Sequence, residues 1–425
     1  MLLDQSWAGS SQSEYLGDGV SILIVCSAQT LPSYVLHYSN LNDRTVPCDG
    51  LAFIIIFFFL DIETPKTPIL AGLKAIDWLG SITIVGGTVM FLLGLEFGGV
   101  QYSWKSPTVI CLIVFGIVVW ALFFLNEWKI AKYPVMPLRL FTRHSNIAAL
   151  VVCFCHGFVF ISGSYFLPLY FQAVLGASPL MSGVYLFPFV LSLSFMSAAV
   201  GIFIRKTGQY LPAIWFGMAF MTLGFGLYID LPANPSWARI IIFQIIAGLG
   251  VGPNFQAPLI ALQSLVANKD IATATATFGF VRNLATSISV VIGGVVFQHS
   301  MQKKLAALQS ALGPQLAAAL GGGSAGANTG IVASLPPAQK AVATAAYTDA
   351  LRTMWILYVC VGAFGLAASL LIGKQTLSKT HEVTKTGLDV QERDRKERKN
   401  LDRAKRAEKM SGQVREKARG LVEEV

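Results

Sequence analysis

Polar groups inside long apolar runs are where this 425-residue sequence could do chemistry, because burying them in lipid costs energy. His156 lies near the centre of one such run and could titrate near neutral pH, which makes it the candidate proton-coupling residue. A neutral imidazole hydrogen-bonded between helices is its plainer alternative. Arg282 sits roughly ten residues into another run, where a central Arg costs on the order of 2.5–3.5 kcal/mol on insertion scales. It could meet an anionic substrate or a carboxylate, or snorkel to the membrane surface.

The run Gly248-x-Gly250-x-Gly252-Pro253-Asn254-x-Gln256 combines three glycines that allow close backbone approach with a proline that interrupts a helix. Gly248, Gly250, Gly252 and Pro253 are therefore hinge candidates. The carbonyls freed at Pro253 and Pro258, with the amides of Asn254 and Gln256, must face either a cavity or other helices. Gln263, seven residues after Gln256, shares its face if the helix stays regular. A packing hinge with satisfied amides competes with a substrate path. The pattern is no dinucleotide fingerprint, since no strand precedes it. Tyr165 and Gln172, with Phe166, Tyr170 and Phe171, gather toward one end of their run, as an exit path or as an interfacial aromatic belt. Glu96, Glu127 and Asp230 lie close to run ends and make poor proton carriers.

These residues need apolar elements to hold them, and the composition supplies little else. Hydrophobic residues make up 54% and charged residues 13%, which excludes an ordinary soluble enzyme, a disordered chain and a nucleic-acid binder. Eight stretches reach the length of a spanning helix: 76–97, 107–128, 147–171, 180–204, 211–230, 237–263, 273–297 and 352–373. Gly50–Leu60 is half a span. The runs are continuous rather than alternating with period two, which excludes a membrane β-barrel. Small residues for close helix contact occur as Gly94 with Gly98, Ser194 with Ala198, Gly217 with Gly224, and Gly293-Gly294. The expected fold class is all-α, a polytopic transmembrane bundle.

Lys and Arg divide unevenly between alternate loops, 24 on the side that includes the C-terminus against 6 on the other, so the C-terminus is expected in the cytoplasm. Of the 24, 15 belong to the tail 374–425, beside 10 acids. That tail is expected to be solvated and partly helical, with binding to anionic lipid as the alternative. The 298–351 loop is expected to form two helical pieces around GGGSAGANTG, a surface hairpin or a lid. Six cysteines lack metal-ligand spacing and read as packing residues. No targeting peptide is evident. No cofactor and no metal are implied.

YFLPLYFQAVLGASPLMSGVYLFPF from Tyr165, AGLGVGPNFQAPLIALQ at 247–263 and FGFVRNLATSISVVIGGVVF at 278–297 together resemble the fungal drug:proton antiporters of the major facilitator superfamily, the fourteen-span subgroup. GIFIRKTGQY at 201–210 resembles that superfamily's short Gly/Arg loop. The resemblance covers about 50–373 and implies a register. Residues 50–128 would be the end of span six and two linker spans, 129–373 the C-terminal six-helix lobe with its outer loop at 298–351, and 374–425 a cytoplasmic tail. Residues 1–49 match nothing in that family and stay unassigned, and spans one to five are expected to be missing. The implied function is proton-coupled efflux of small amphipathic drugs, toxins or secondary metabolites across the cell membrane. Its partners would be that substrate, protons, the lipid bilayer and an N-terminal lobe, because such transporters rock two lobes about a midplane site. A non-transporting fragment and a membrane enzyme, a desaturase or acyl transferase, are the alternatives. The enzyme would need clustered histidines, whereas those at 37, 144, 156, 299 and 381 are scattered. A receptor-like bundle fits the span count poorly.

Overall fold

The computed structural model describes residues 76–98, 102–131, 135, 136, 138–233, 236–267, 270–321, 325, 326, 328–375 and 393. The half span 50–60, residues 1–49 and nearly all of the charged tail lie outside the described residues. Among the described residues the fold is all-α, and eight helices or helix pairs are long and apolar enough to cross a membrane.

Two helices come first, α1 (Trp78–Phe97) and α2 (Pro107–Lys129). Asp77 caps α1 by accepting the Gly80 N–H at 2.8 Å, and its other oxygen accepts from Asn126 Nδ2 at 2.8 Å, which ties the start of α1 to the end of α2. Pro107 opens α2, where a missing N–H costs nothing. Glu127 accepts from the Val135 and Met136 N–H groups at 3.0 and 3.2 Å, so this carboxylate anchors the following turn.

The main bundle contains α3 (His144–Ala173), α4 (Pro179–Val184) with α5 (Phe187–Thr207), α6 (Leu211–Leu227), α7 (Trp237–Val251) with α8 (Ala257–Leu265), α9 (Ile271–Lys303) and α13 (Pro337–Ser369). Ser178 caps α4 through the Met181 N–H. Pro188 separates α4 from α5 because it cannot donate to the ladder. Gly208 ends α5 in the left-handed conformation at φ 67°, with Arg205 and Lys206 in the last turn. α3 is the most buried span and packs against α8, α9 and α13. α7 lies between α5 and α6. The outward faces carry exposed Ile82, Leu191 and Phe195, which suits a lipid surroundings.

The 298–351 segment is neither a plain loop nor a two-helix hairpin. α9 continues to Lys303, and α13 already begins at Pro337, well before the expected start of its span at 352. Between them, α10 (Leu305–Leu312), α11 (Pro314–Leu320) and α12 (Thr329–Ala333) form a small cap. Gly313 at φ 83° turns α10 into α11. Leu308, Ala317, Leu320 and Val332 are buried within the cap, Tyr347 Oη donates to the Ala325 carbonyl at 2.7 Å, and α12 rests on α3. The apolar spacing was legible, but the cap has a core because α9 and α13 project beyond the bundle together.

Packing in lipid relies on close contact rather than on expulsion of water. A Cβ at Gly250 would collide with Met221 N, and one at Gly224 with Ala247 Cα, so α6 and α7 touch along their backbones. Gly94 meets α2, and Gly293 meets Phe166 and Tyr358, whereas Gly294 faces open space and Ala198 is exposed. Gly250→Ala is therefore expected to lower stability by about 1–3 kcal/mol through overpacking. Gly294→Ala should leave it unchanged. Thermal unfolding of the two purified variants in one detergent checks this, and equal midpoints would refute the contact.

Candidate functional site

The helix is interrupted at the glycine–proline run. α7 ends at Val251, a 3₁₀ turn covers Gly252–Phe255, and α8 begins at Ala257. Pro253 and Pro258 each lack an N–H, so the α-helical ladder cannot run through. The Gln256 N–H reaches only to Pro253 O, and the regular pattern resumes where Ile260 donates to Gln256 O at 3.0 Å.

Side chains from other helices reach two carbonyls at the break. His156 on α3 lies with Nε2 3.0 Å from Val251 O. A carbonyl only accepts, so Nε2 carries the proton in this bond. Arg282 on α9 donates from a terminal guanidinium nitrogen to Phe255 O at 2.7 Å. Its Cζ also stands 5.2 Å from the Phe255 ring centre and 4.9 Å from that of Phe278, within cation–π range. The His156 ring packs edge-on against the same Phe255 at 4.9 Å and parallel to Phe160 at 6.2 Å. His156 is fully buried, and its Nδ1 has no hydrogen-bond partner. Gly157 lets the α9 backbone approach, since a Cβ there would lie 3.2 Å from Arg282 O.

The remaining candidates divide between interior and surface. Asn254 is fully buried, donates weakly to Gly250 O at 3.4 Å, leaves Oδ1 without a partner, and fills the space that a Cβ on Gly217 would occupy. Gly248 and Gly252 face α5, where Cβ atoms would meet Ser192 Oγ and Leu193 O, while Gly250 faces α6. Gln256 is half-buried beside the break. Gln263 Nε2 donates to Thr275 Oγ1 at 2.9 Å, joining α8 to the start of α9. Gln172 is buried and donates to Ser182 Oγ at 3.1 Å, fastening the end of α3 to α4. Tyr165 is half-exposed, whereas Phe166, Tyr170 and Phe171 are buried, with Tyr170 Oη donating to Pro232 O at 2.6 Å. The structure thus brings together His156, Arg282 and the break, and sets Tyr165 and Gln172 apart near the capped end.

Sequence reasoning missed a polar face on α9. Thr275, Asn283 and Ser287 are exposed and Thr286 is half-buried, while Ala285, Ser289 and Gly293 are buried on the opposite side. Their spacing of eight, three and four residues was a readable helical signal. A second group, Ser289 with Tyr358, joins α9, α13 and α3: Ser289 Oγ donates to Phe158 O at 2.5 Å and Tyr358 Oη to Ser289 O at 2.9 Å.

A family model described as Major Facilitator Superfamily matches residues 73–290, about half of the chain and all of the break. The chain belongs to the major facilitator superfamily. It is 55% identical over 348 residues to "Efflux pump dotC" of Dothistroma septosporum, covering 82% of this chain and 60% of that protein. To "MFS-type transporter ppz2" of Metarhizium majus it is 46% identical over 365 residues, 86% of this chain and 63% of the relative. The chain therefore spans about three fifths of the length of the curated relatives it matches. A solved bacterial homolog to the human lysosomal transporter Spinster superposes with a TM-score of 0.42 at 18% identity, over 72% of this chain and 64% of that one. With the family established, the apolar helices are those of a multi-pass membrane protein.

Arg282→Met is expected to leave Phe255 O unsatisfied in an apolar surrounding and to destabilise the chain by about 1–3 kcal/mol. Arg282→Lys, which keeps a donor but loses the planar face between two phenyl rings, should fall between. Thermal unfolding in detergent is the readout. A Met variant as stable as the parent would show that Arg282 does not hold the break.

Proposed function

We propose that the chain forms the C-terminal part of a proton-coupled efflux transporter for small amphipathic drugs, toxins or secondary metabolites. The observation that carries this reading is the broken helix, whose exposed backbone polarity is held by side chains from α3 and α9, the kind of discontinuity around which transporters build midplane sites. The name of the Dothistroma relative points the same way. In this reading the exposed face of α9, with Asn283 and Ser287, continues from Gln256 and Gln263 as the substrate path. An N-terminal lobe covers that face, because exposed amides are costly against lipid. The C-terminus faces the cytoplasm of the cell membrane, and the cap and Tyr165 lie outside.

His156 is the proposed proton-coupling residue. Its Nδ1 has no hydrogen-bond partner and the ring is fully buried, so a second proton would enter only if α3 separates from the break. Proton uptake and helix movement would then be one event. Gly248, Gly250, Gly252 and Pro253 serve as the hinge of that movement, with Arg282 and Asn254 beside it and Gln172 fixing the outer end of α3.

Efflux of rhodamine 6G from proteoliposomes carrying a pH gradient tests this, using the 425-residue chain alone and co-reconstituted with the N-terminal region of the Dothistroma relative. Gradient-dependent efflux is expected with the lobe supplied. His156→Gln, whose amide can still donate to Val251 O but cannot titrate, should lose at least tenfold of the gradient dependence. Retained proton dependence would remove His156 from the coupling, and absence of efflux in the paired preparation would overturn the transport reading.

A further inference from the structure

A cavity of about 390 Å³ opens at the capped end of the bundle, between the α4–α5 junction and the first turns of α7. Val184, Phe187 and Pro188 line one side, and Trp237, Ile241 and Gln244 the other. It is separate from the break, which lies two turns further along α7.

The lining is mostly apolar, its polar groups being the Gln244 amide, the Tyr185 hydroxyl and the Trp237 indole N–H. Gln244 is 1% exposed, and neither Nε2 nor Oε1 has a hydrogen-bond partner. It lies one turn before Gly248, on the face of α7 that meets α5, which places it at the inner end of the cavity. Burying an amide with no partner is unfavourable, and lipid tails cannot satisfy it. Donor and acceptor are both unfilled, so the complementary group must offer both. The ester carbonyls of a glycerolipid offer acceptors alone, whereas an amide or a hydroxyl offers a donor and an acceptor. The opposite wall has spare acceptor capacity too, because Pro188 cannot donate to Val184 O as an α-helical residue would.

We propose that this cavity binds a small neutral amphipathic molecule, with its apolar body between Phe187, Trp237 and Ile241 and one amide or hydroxyl group on Gln244. The substrate class rests on the efflux reading above, to which this adds a contact point near the outer end of the path. The test is equilibrium binding, so its outcome is independent of whether the chain transports.

The probe is 4-bromobenzanilide, whose bromine quenches indole fluorescence, added to the full 425-residue chain in phosphatidylcholine nanodiscs. Trp237→Phe identifies the share of quenching that comes from the cavity. Saturable quenching of Trp237 is expected, with the amide-free isostere 4-bromobibenzyl binding at least tenfold more weakly. Gln244→Leu, close in shape and apolar, should erase or reverse that preference. Val184→Phe, which fills the cavity from an exposed position, should abolish binding of both probes. Quenching that does not saturate reports partitioning into lipid and overturns the proposal. Equal affinity for the two probes, unchanged by Gln244→Leu, assigns the cavity to lipid chains and overturns it as well.

Discussion

A backbone that leaves the helical path inside a membrane must find other partners for its carbonyls, and the rest of this bundle is arranged around that constraint. Pro253 and Pro258 each remove a backbone donor, and the helix is interrupted between Val251 and Ala257. His156 reaches Val251 O from α3, and Arg282 reaches Phe255 O from α9. These two bonds fix the axial register of three helices relative to one another. They also explain how a guanidinium is accommodated so deep in an apolar sequence: a carbonyl takes one edge and two phenyl rings lie within reach of its faces.

The same region is narrow in both lateral directions. Gly248 and Gly252 admit α5, Gly250 admits α6, and Asn254 fills the space that Gly217 leaves. Contacts of backbone against backbone have no side chains to repack, so they fail at once when a methyl group is added, yet they let helices slide without rotamer clashes. The proposed hinge is thus a segment held by two side-chain contacts and flanked by smooth surfaces.

α9 connects this interior to the outside of the bundle. One face places Arg282, Ala285 and Ser289 inward, and the other shows Thr275, Asn283 and Ser287. Beyond the bundle α9 and α13 continue side by side, and α10–α12 form the cap with their own buried residues, α12 resting on α3. The exposed Lys304–Asp349 pair at 2.7 Å joins the two long helices, although such a surface pair is worth little energy compared with the cap's apolar contacts.

Local chemistry by itself determined much of this protein. Continuous apolar runs of this length fit membrane helices, the close pair Pro253 and Pro258 beside three glycines marked a weak point in one of them, and the spacing of Gly248, Gly250 and Gly252 favoured close approach. The eight spans and the site of the break were therefore readable, as was the choice between a cavity and other helices as the destination of the freed carbonyls. Tertiary structure alone supplied the side-chain partners of Val251 O and Phe255 O, because His156 lies 95 residues from Val251 and Arg282 lies 27 from Phe255. It also decided that Gln172 fastens α4, that Asn254 packs on Gly217, that Glu127 holds a turn, and that Gln244 stands unpaired beside a cavity. A hydropathy pattern records how apolar a neighbourhood must be, but hydrogen bonding is pairwise and directional, and the identity of each partner depends on which helices become neighbours.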